Sequence, residues 1–156
     1  MSVSDIYNFI DIDGRIATAG QPTAEQFRAA RDAGYEAVIN LAPDGLDTSL
    51  AGERELVEEL GLEYHHLPVA WKEVGLDHLR AFARLMAEVE GKRTLIHCQA
   101  NYRVTALYGL HAEASRGWSR EQADALMSRI WNSKPGYTMD ETWKAFIAEA
   151  RAAMPA

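Results

Sequence analysis

The segment His97-Cys98-Gln99-Ala100-Asn101-Tyr102-Arg103-Val104-Thr105 carries the residue types with the most chemistry in this 156-residue chain. Thr94 to Cys98 reads as a short apolar strand, and the spacing predicts a helix from about Arg103 to Arg116, stopped by Gly117. A strand that becomes a helix within about five residues turns its backbone N–H groups toward one concave side, where they form an anion site needing no basic side chain. The same dipole stabilises a thiolate, which makes Cys98 a nucleophile near neutral pH. Arg103 adds a planar set of donors matching two oxygens of a phosphate or sulfate. Nucleophile, amide cradle and Arg clamp are the parts of a displacement that passes through a thiophosphate. From Gly91 to Ala112 there is no Asp or Glu, while Lys92, Arg93 and Arg103 are present. The bland alternative makes Cys98 a small buried hydrophobe and Arg103 a solvated helix residue. The strand-Cys-turn-Arg arrangement as a whole favours the anion loop.

Such a loop needs elements to aim it. Short β-like runs alternate with amphipathic helices, which predicts an α/β domain with a small, mainly parallel central sheet flanked by helices. The strands are Arg15 to Ala19, Ala37 to Leu41, Tyr64 to Val69 with its pairing ended by Pro68, and Thr94 to Cys98. Thr23 and Gln26 form a capping box opening a helix that ends at Gly34. Helices are expected over Glu53 to Leu60 and Leu76 to Glu90, the latter with Leu79, Phe82, Met86 and Val89 on one stripe. Two further helices follow, with capping boxes at Ser119–Gln122 and Thr138–Glu141, and Trp143, Phe146, Ile147 and Ala150 as core in the last.

No repeat or linker divides the sequence, and its length suits one domain spanning 1–156. It is 47% hydrophobic and 25% charged, the balance of a globular protein with its own core. Sixteen Lys and Arg against 23 Asp and Glu leave a net charge of −7, which disfavours nucleic-acid and anionic-membrane partners. Cys98 is the only cysteine, so an intrachain disulfide is impossible and a cysteine-built zinc site is not expected. Met1 to Asp13 carries no Lys or Arg and no long apolar run, unlike a secretory signal. No stretch approaches a membrane span, and a cytoplasmic protein is expected.

The His-Cys-loop-Arg segment resembles the phosphate-binding loop of the cysteine-dependent protein tyrosine and dual-specificity phosphatases. Ala17-Thr18-Ala19-Gly20-Gln21-Pro22-Thr23, Gly34 to Leu41 and Gly61-Leu62-Glu63-Tyr64-His65-His66-Leu67-Pro68-Val69 are similar to a small bacterial branch of that superfamily. That branch comprises relatives of the phosphatase-like domain sometimes fused to β-lactamase-like hydrolases. The resemblance runs over roughly residues 8 to 115. It implies a dual-specificity-like fold, a phospho-Cys98 intermediate, and a substrate phosphate held by His97, Gln99, Ala100, Asn101, Tyr102 and Val104. It gives His97 the role of holding the loop and Thr105 that of stabilising the leaving thiolate, beside a bland role satisfying its own helix backbone. No cofactor is implied.

The family signature has five residues between Cys and Arg; here four intervene, so Arg103 arrives one position early while Thr105 keeps its distance. Either the loop is one residue shorter, or it keeps its length and Arg103 sits elsewhere on the first helical turn. One residue there is about 100° of rotation, enough to aim a guanidinium past the phosphate, with a long side chain compensating only in part. Asn101 replaces a frequent glycine and is the non-glycine residue best suited to positive φ. A general acid for the leaving oxygen is expected on the loop after the third strand. Glu73 is the first candidate, ahead of Asp77, which suits the first turn of a helix, and Asp44 in a Pro-Asp-Gly turn. Trp71 and Tyr102 could wall the pocket. His65 and His66 point to opposite faces, and with no partner spacing for His78 or His111 no metal site is expected. The leading expectation is a phosphatase acting on a small phosphorylated molecule or a short phosphosite. A non-catalytic phosphoanion-binding module comes second and a rhodanese-like sulfurtransferase third.

Overall fold

Side chains alternate across a strand, so a sheet covered on both faces needs apolar residues at nearly every position. The inner strands meet that demand. The computed structural model, which describes residues 2–133 and 138–154, pairs five strands in the order β1-β2-β5-β3-β4. These are β1 (Ile10–Asp11), β2 (Ile16–Ala19), β3 (Ala37–Asn40), β4 (Glu63–His66) and β5 (Thr94–His97). Strands β2, β5, β3 and β4 run parallel, and β1 is an antiparallel edge. Every residue of β2, β3 and β5 is buried.

Alternate strand residues serve two cores. Ala17, Ala19, Val38 and Leu95 pack with Phe27 of α1 (Ala24–Asp32) and Val57 of α2 (Glu53–Glu59). Ile16, Ala37, Ile39 and Ile96 pack on the other face, with residues of α3 (Leu76–Glu88), α4 (Tyr102–Ser115), α5 (Arg120–Trp131) and α6 (Glu141–Ala152). Arg103 through Ala112 of α4 are all buried, as befits a helix that is apolar on every side. The predicted α/β architecture with a mainly parallel sheet is therefore the observed one.

The register sets up the site. Ala19 and Asn40 both lie opposite His97, so β2, β5 and β3 end level. Loops leaving the carboxyl ends of parallel strands surround a common crevice.

Local differences have physical reasons. The edge strand β1 has only two residues and falls outside the predicted set. Pro68 does not end the tie to β3: Leu67 N–H donates to Asn40 O (2.9 Å) and Val69 N–H to Leu41 O (3.0 Å), bracketing the residue that has no N–H to give. Helix α6 begins not with a Thr138 box but at Asp140, whose carboxylate accepts from Trp143 N–H at 3.0 Å; Asp is as good a cap as Thr and sits one residue before Glu141. The boxes at Thr23–Gln26 and Ser119–Gln122 are present in both directions. Among the described residues no helix is long and apolar enough to cross a membrane, and no group of three or more His, Cys, Asp or Glu is placed to hold a metal ion.

Candidate active site

The loop between β5 and α4 is fastened to the amino-terminal segment. Cys98 N–H donates to Ala19 O (3.2 Å) and Gln21 N–H to Gln99 O (3.1 Å). Asn8 Nδ2 donates to Ala100 O at 3.0 Å. Asn101 takes the left-handed conformation, φ 73°, immediately before α4. Its Nδ2 donates to Asn8 O (2.8 Å) and Thr18 Oγ1 (2.9 Å), so the residue that turns the chain also ties the turn down. Gly20 lies against this loop: a Cβ there would meet Gln99 O, Tyr7 O and the Tyr7 ring, each at 3.0 Å. Two of the three obstacles are backbone. Gly20→Ala is therefore expected to cost about 1–3 kcal/mol as overpacking, read as a fall of roughly 5 °C in Tm by calorimetry.

Arg103, in the first turn of α4, is 5% exposed despite its charge. Its Nε donates to Val69 O at 2.8 Å, the carbonyl made available because Val69 stays bonded to Leu41 across Pro68. Its guanidinium lies 5.1 Å from the Trp71 ring centroid, a cation–π contact. Trp71 is clamped in turn. Its Nε1 donates to Asp140 Oδ2 at 2.5 Å, and its carbonyl accepts from Trp143 Nε1 at 3.0 Å. Neither Nη of Arg103 has a hydrogen-bond partner among the described residues, and Arg103 lines a cleft of about 600 Å³ with Gln99, Ala100, Tyr102 and Trp71. Arg103 thus has Nε bonded to the scaffold and lies along the cleft with neither Nη bonded among the described residues.

A carboxylate that the sequence reading passed over sits behind the loop. Glu53, the first residue of α2, is 7% exposed and collects three donors: Gln21 Nε2, Tyr64 OH and His97 Nε2, each at 2.7 Å. Since a carboxylate only accepts, Nε2 of His97 carries a proton; its Nδ1 lies 3.3 Å from Cys98 O. Burial pushes the Glu53 carboxyl up, but the hydrogen bond and charge of His97, with Gln21 and Tyr64, outweigh it and hold the group below its ordinary value. Burial, and then the Glu53 charge, push the Tyr64 phenol well above its usual range. The local sequence offered only an acid in a helix's first turn, a common and bland position.

The other expected residues fall as follows. Cys98 is fully buried at the root of the loop and is not one of the cleft-lining residues. Thr105 is buried and its hydroxyl donates to Asn101 O (2.9 Å), with Tyr102 O at 3.2 Å; it secures the loop's left-handed residue, the bland alternative for this position. Val104 packs in the core, away from the cleft. Tyr102 and Trp71 do wall the cleft. Glu73 is exposed at the end of a short 3-10 turn (Trp71–Glu73), and Asp77 is exposed and paired with Arg80 at 2.9 Å. Asp44 lies 4.0 Å from His66. None of these three carboxylates lines the cleft. His65 meets Glu63 (2.6 Å) and His66 meets Ala42 O (2.6 Å).

No family model matches the chain. A β-lactamase hydrolase-like protein of Xylella fastidiosa is 32% identical over 120 residues, which is 75% of this chain and 28% of that protein; the chain thus spans little more than a quarter of its curated relative. A DUF442 protein from Shewanella putrefaciens superposes with a TM-score of 0.86 at 26% identity, covering 99% of this chain and 97% of the other. TpbA of P. aeruginosa, solved in complex with phosphotyrosine, shares the fold at TM-score 0.70 and 15% identity, covering 99% and 93%. The fold, with a loop between β5 and α4 at its crevice, is that of a phosphatase-like domain. Its fold is that of the protein tyrosine phosphatase-like proteins, and the chain is similar to the bacterial DUF442 and β-lactamase hydrolase-like proteins.

Proposed function

We propose that this protein is a cysteine-dependent phosphatase that hydrolyses phosphate monoesters through a phospho-Cys98 intermediate. The observation that carries this reading is the guanidinium of Arg103, whose unpartnered nitrogens share a cleft with Gln99 and Ala100 at the N-terminus of α4. A phosphate seated there meets the helix dipole and two guanidinium donors. Cys98 Sγ attacks phosphorus and the ester oxygen leaves with the bonding pair; water then cleaves the S–P bond. Because Cys98 is fully buried, seating the anion must part the loop rim slightly to bring phosphorus to sulfur. Glu73, exposed at the end of the turn that carries the cleft-lining Trp71, remains the proposed acid for the leaving oxygen. His97 holds the loop through Glu53 and Cys98 O. The route uses neither cofactor nor metal.

The apolar walls Trp71, Tyr102, Leu50 and Pro22 with a single guanidinium suit a small phosphorylated molecule or a short phosphosite, and phosphotyrosine, the ligand of TpbA, fits that description. A nucleic-acid polymer or a membrane sheet would need a broad basic surface that a net charge of −7 does not supply. The reducing cytoplasm, which keeps a lone thiol free, is a compartment that suits such a mechanism.

The test is phosphate release from 4-nitrophenyl phosphate by the purified chain. Release should be sensitive to vanadate and fall to background in Cys98→Ser. Well-folded protein that binds phosphate without turnover would be an anion-binding module instead, and persulfide transfer from thiosulfate to cyanide would make it a sulfurtransferase.

A further inference from the structure

A second cavity lies at the end of the sheet away from Cys98, where β2 begins and α3 and α4 finish. It measures about 410 Å³, toward the lower end of the range that small-molecule sites occupy. Its floor is made by Ile16, Met86 and Val89, all buried. His111 of α4 lines it and is only 9% exposed. The imidazole stands edge-on to Phe82, with ring centroids 5.7 Å apart, and lies 6.1 Å from Tyr108. Neither ring nitrogen has a hydrogen-bond partner among the described residues, and neither is sealed from solvent, so the polar edge opens on the cavity. Burial and then the charge of Arg116, opposed by Glu90, hold the imidazole below its ordinary value. At neutral pH it therefore presents one N–H donor and one bare acceptor. A buried polar edge is ordinarily paired, and here only an occupant of the cavity can pair it.

The charges around this edge are divided. Arg116 is committed, with Nη1 on Tyr108 OH (2.9 Å) and Nη2 on Asp13 Oδ2 (3.3 Å). Arg15 and Glu90 also line the cavity, and their side chains make no hydrogen bond or ion pair among the described residues. A simple anion would be repelled by Glu90, and a simple cation by Arg15 and Arg116. A molecule that carries both charges on an apolar body meets neither objection. We propose that this cavity binds an aliphatic α-amino acid. Its carboxylate lies on Arg15 and its ammonium on Glu90, its side chain rests on Ile16, Met86 and Val89, and the His111 edge completes the polar end. The site is separate from the proposed phosphatase chemistry, since none of these residues lines the catalytic cleft.

An amide NMR titration of the full chain with L-leucine tests this, beside two analogues that each keep one charge. These are 4-methylpentanoate, which lacks the ammonium, and 3-methylbutylamine, which lacks the carboxylate. L-Leucine should shift the amides of Ala87, Glu90, His111 and Ser115 to saturation and leave those of Gln99 and Ala100 in place. A charge-assisted hydrogen bond is worth about tenfold in Kd, so each analogue should bind at least about tenfold more weakly. Arg15→Gln and Glu90→Gln should each weaken L-leucine by a similar factor with the melting temperature unchanged. His111→Leu should weaken it severalfold, and where that variant melts early the two rim variants decide. Equal affinity for all three probes overturns the proposal, because the cavity would then be an apolar void that takes any guest. Shifts centred on Gln99 and Ala100 overturn it by placing leucine in the catalytic cleft. No saturable shift up to about 10 mM leucine, a Kd too weak for a built site, overturns it as a cavity that holds water alone.

Discussion

Arg103→Lys is expected to lower kcat/KM for an aryl phosphate by about 10²- to 10³-fold, although the positive charge is kept. A donor aimed at charge that develops in the transition state is typically worth about that much. The geometry at Arg103 explains why lysine cannot stand in. Nε is consumed by Val69 O at 2.8 Å and the guanidinium plane is held over Trp71 at 5.1 Å, so the two remaining nitrogens keep a fixed direction. An ammonium offers neither the scaffold bond nor a second, parallel donor. Inhibition by vanadate should weaken in step with kcat/KM, as a mimic of the transition state requires. A change confined to KM would instead make Arg103 a general anchor for anions. Near-normal kcat/KM in Arg103→Lys would show that the backbone amides carry the charge unaided.

The second large effect concerns stability. Glu53→Ala strands three donors, Gln21 Nε2, Tyr64 OH and His97 Nε2, behind the loop. Breaking a buried charged pair on one side typically costs about 3–5 kcal/mol, and a chain of this size loses about 2–4 °C of Tm per kcal/mol. A fall of roughly 10 °C or more is expected, with Glu53→Gln losing less because it keeps the shape and part of the bonding. The pH dependence has a definite sign. The folded-state carboxyl is held below its ordinary value of 4.5. Its contribution to stability is therefore fully present above that value and disappears as pH falls through the lower, folded-state value. Melts from pH 7 downward should show the difference between wild type and Glu53→Gln shrinking in the acid range. A difference that grows on acidification would mean that Glu53 is buried in its neutral form.

These two residues show what could be read in the sequence and what could not. The Cys98 loop and Arg103 were legible because strand, turn and helix are local, and their order alone predicts an anion site. The sheet was legible too, since Ala37 to Asn40 and Thr94 to His97 are short apolar runs between capped helices. Glu53 was not, because its partners Gln21, Tyr64 and His97 come from three separate segments, up to 44 residues away. Only the level ends of β2, β3 and β5 bring them together. The aim of Arg103 was hidden for a similar reason. Counting residues from Cys98 leaves the direction of the side chain open between a shorter loop and a turned guanidinium, because Nε is held by Val69 O, in another loop. Asp140 combines both difficulties: it replaces the predicted Thr138 cap, and its second oxygen reaches Trp71 across the fold.

The clamp on Trp71 also has an optical consequence. Trp71 stacks on Trp131 with ring centroids 5.5 Å apart and lies 5.0 Å from Trp143, while Trp131 and Trp143 are 5.7 Å apart. Three of the four tryptophans in the chain thus form one coupled chromophore, with the guanidinium of Arg103 resting on its nearest ring. Any anion that draws charge away from that guanidinium changes the field across the indole. The emission and near-ultraviolet dichroism of the cluster should respond, so the protein carries an unlabelled readout of whether its cleft is occupied.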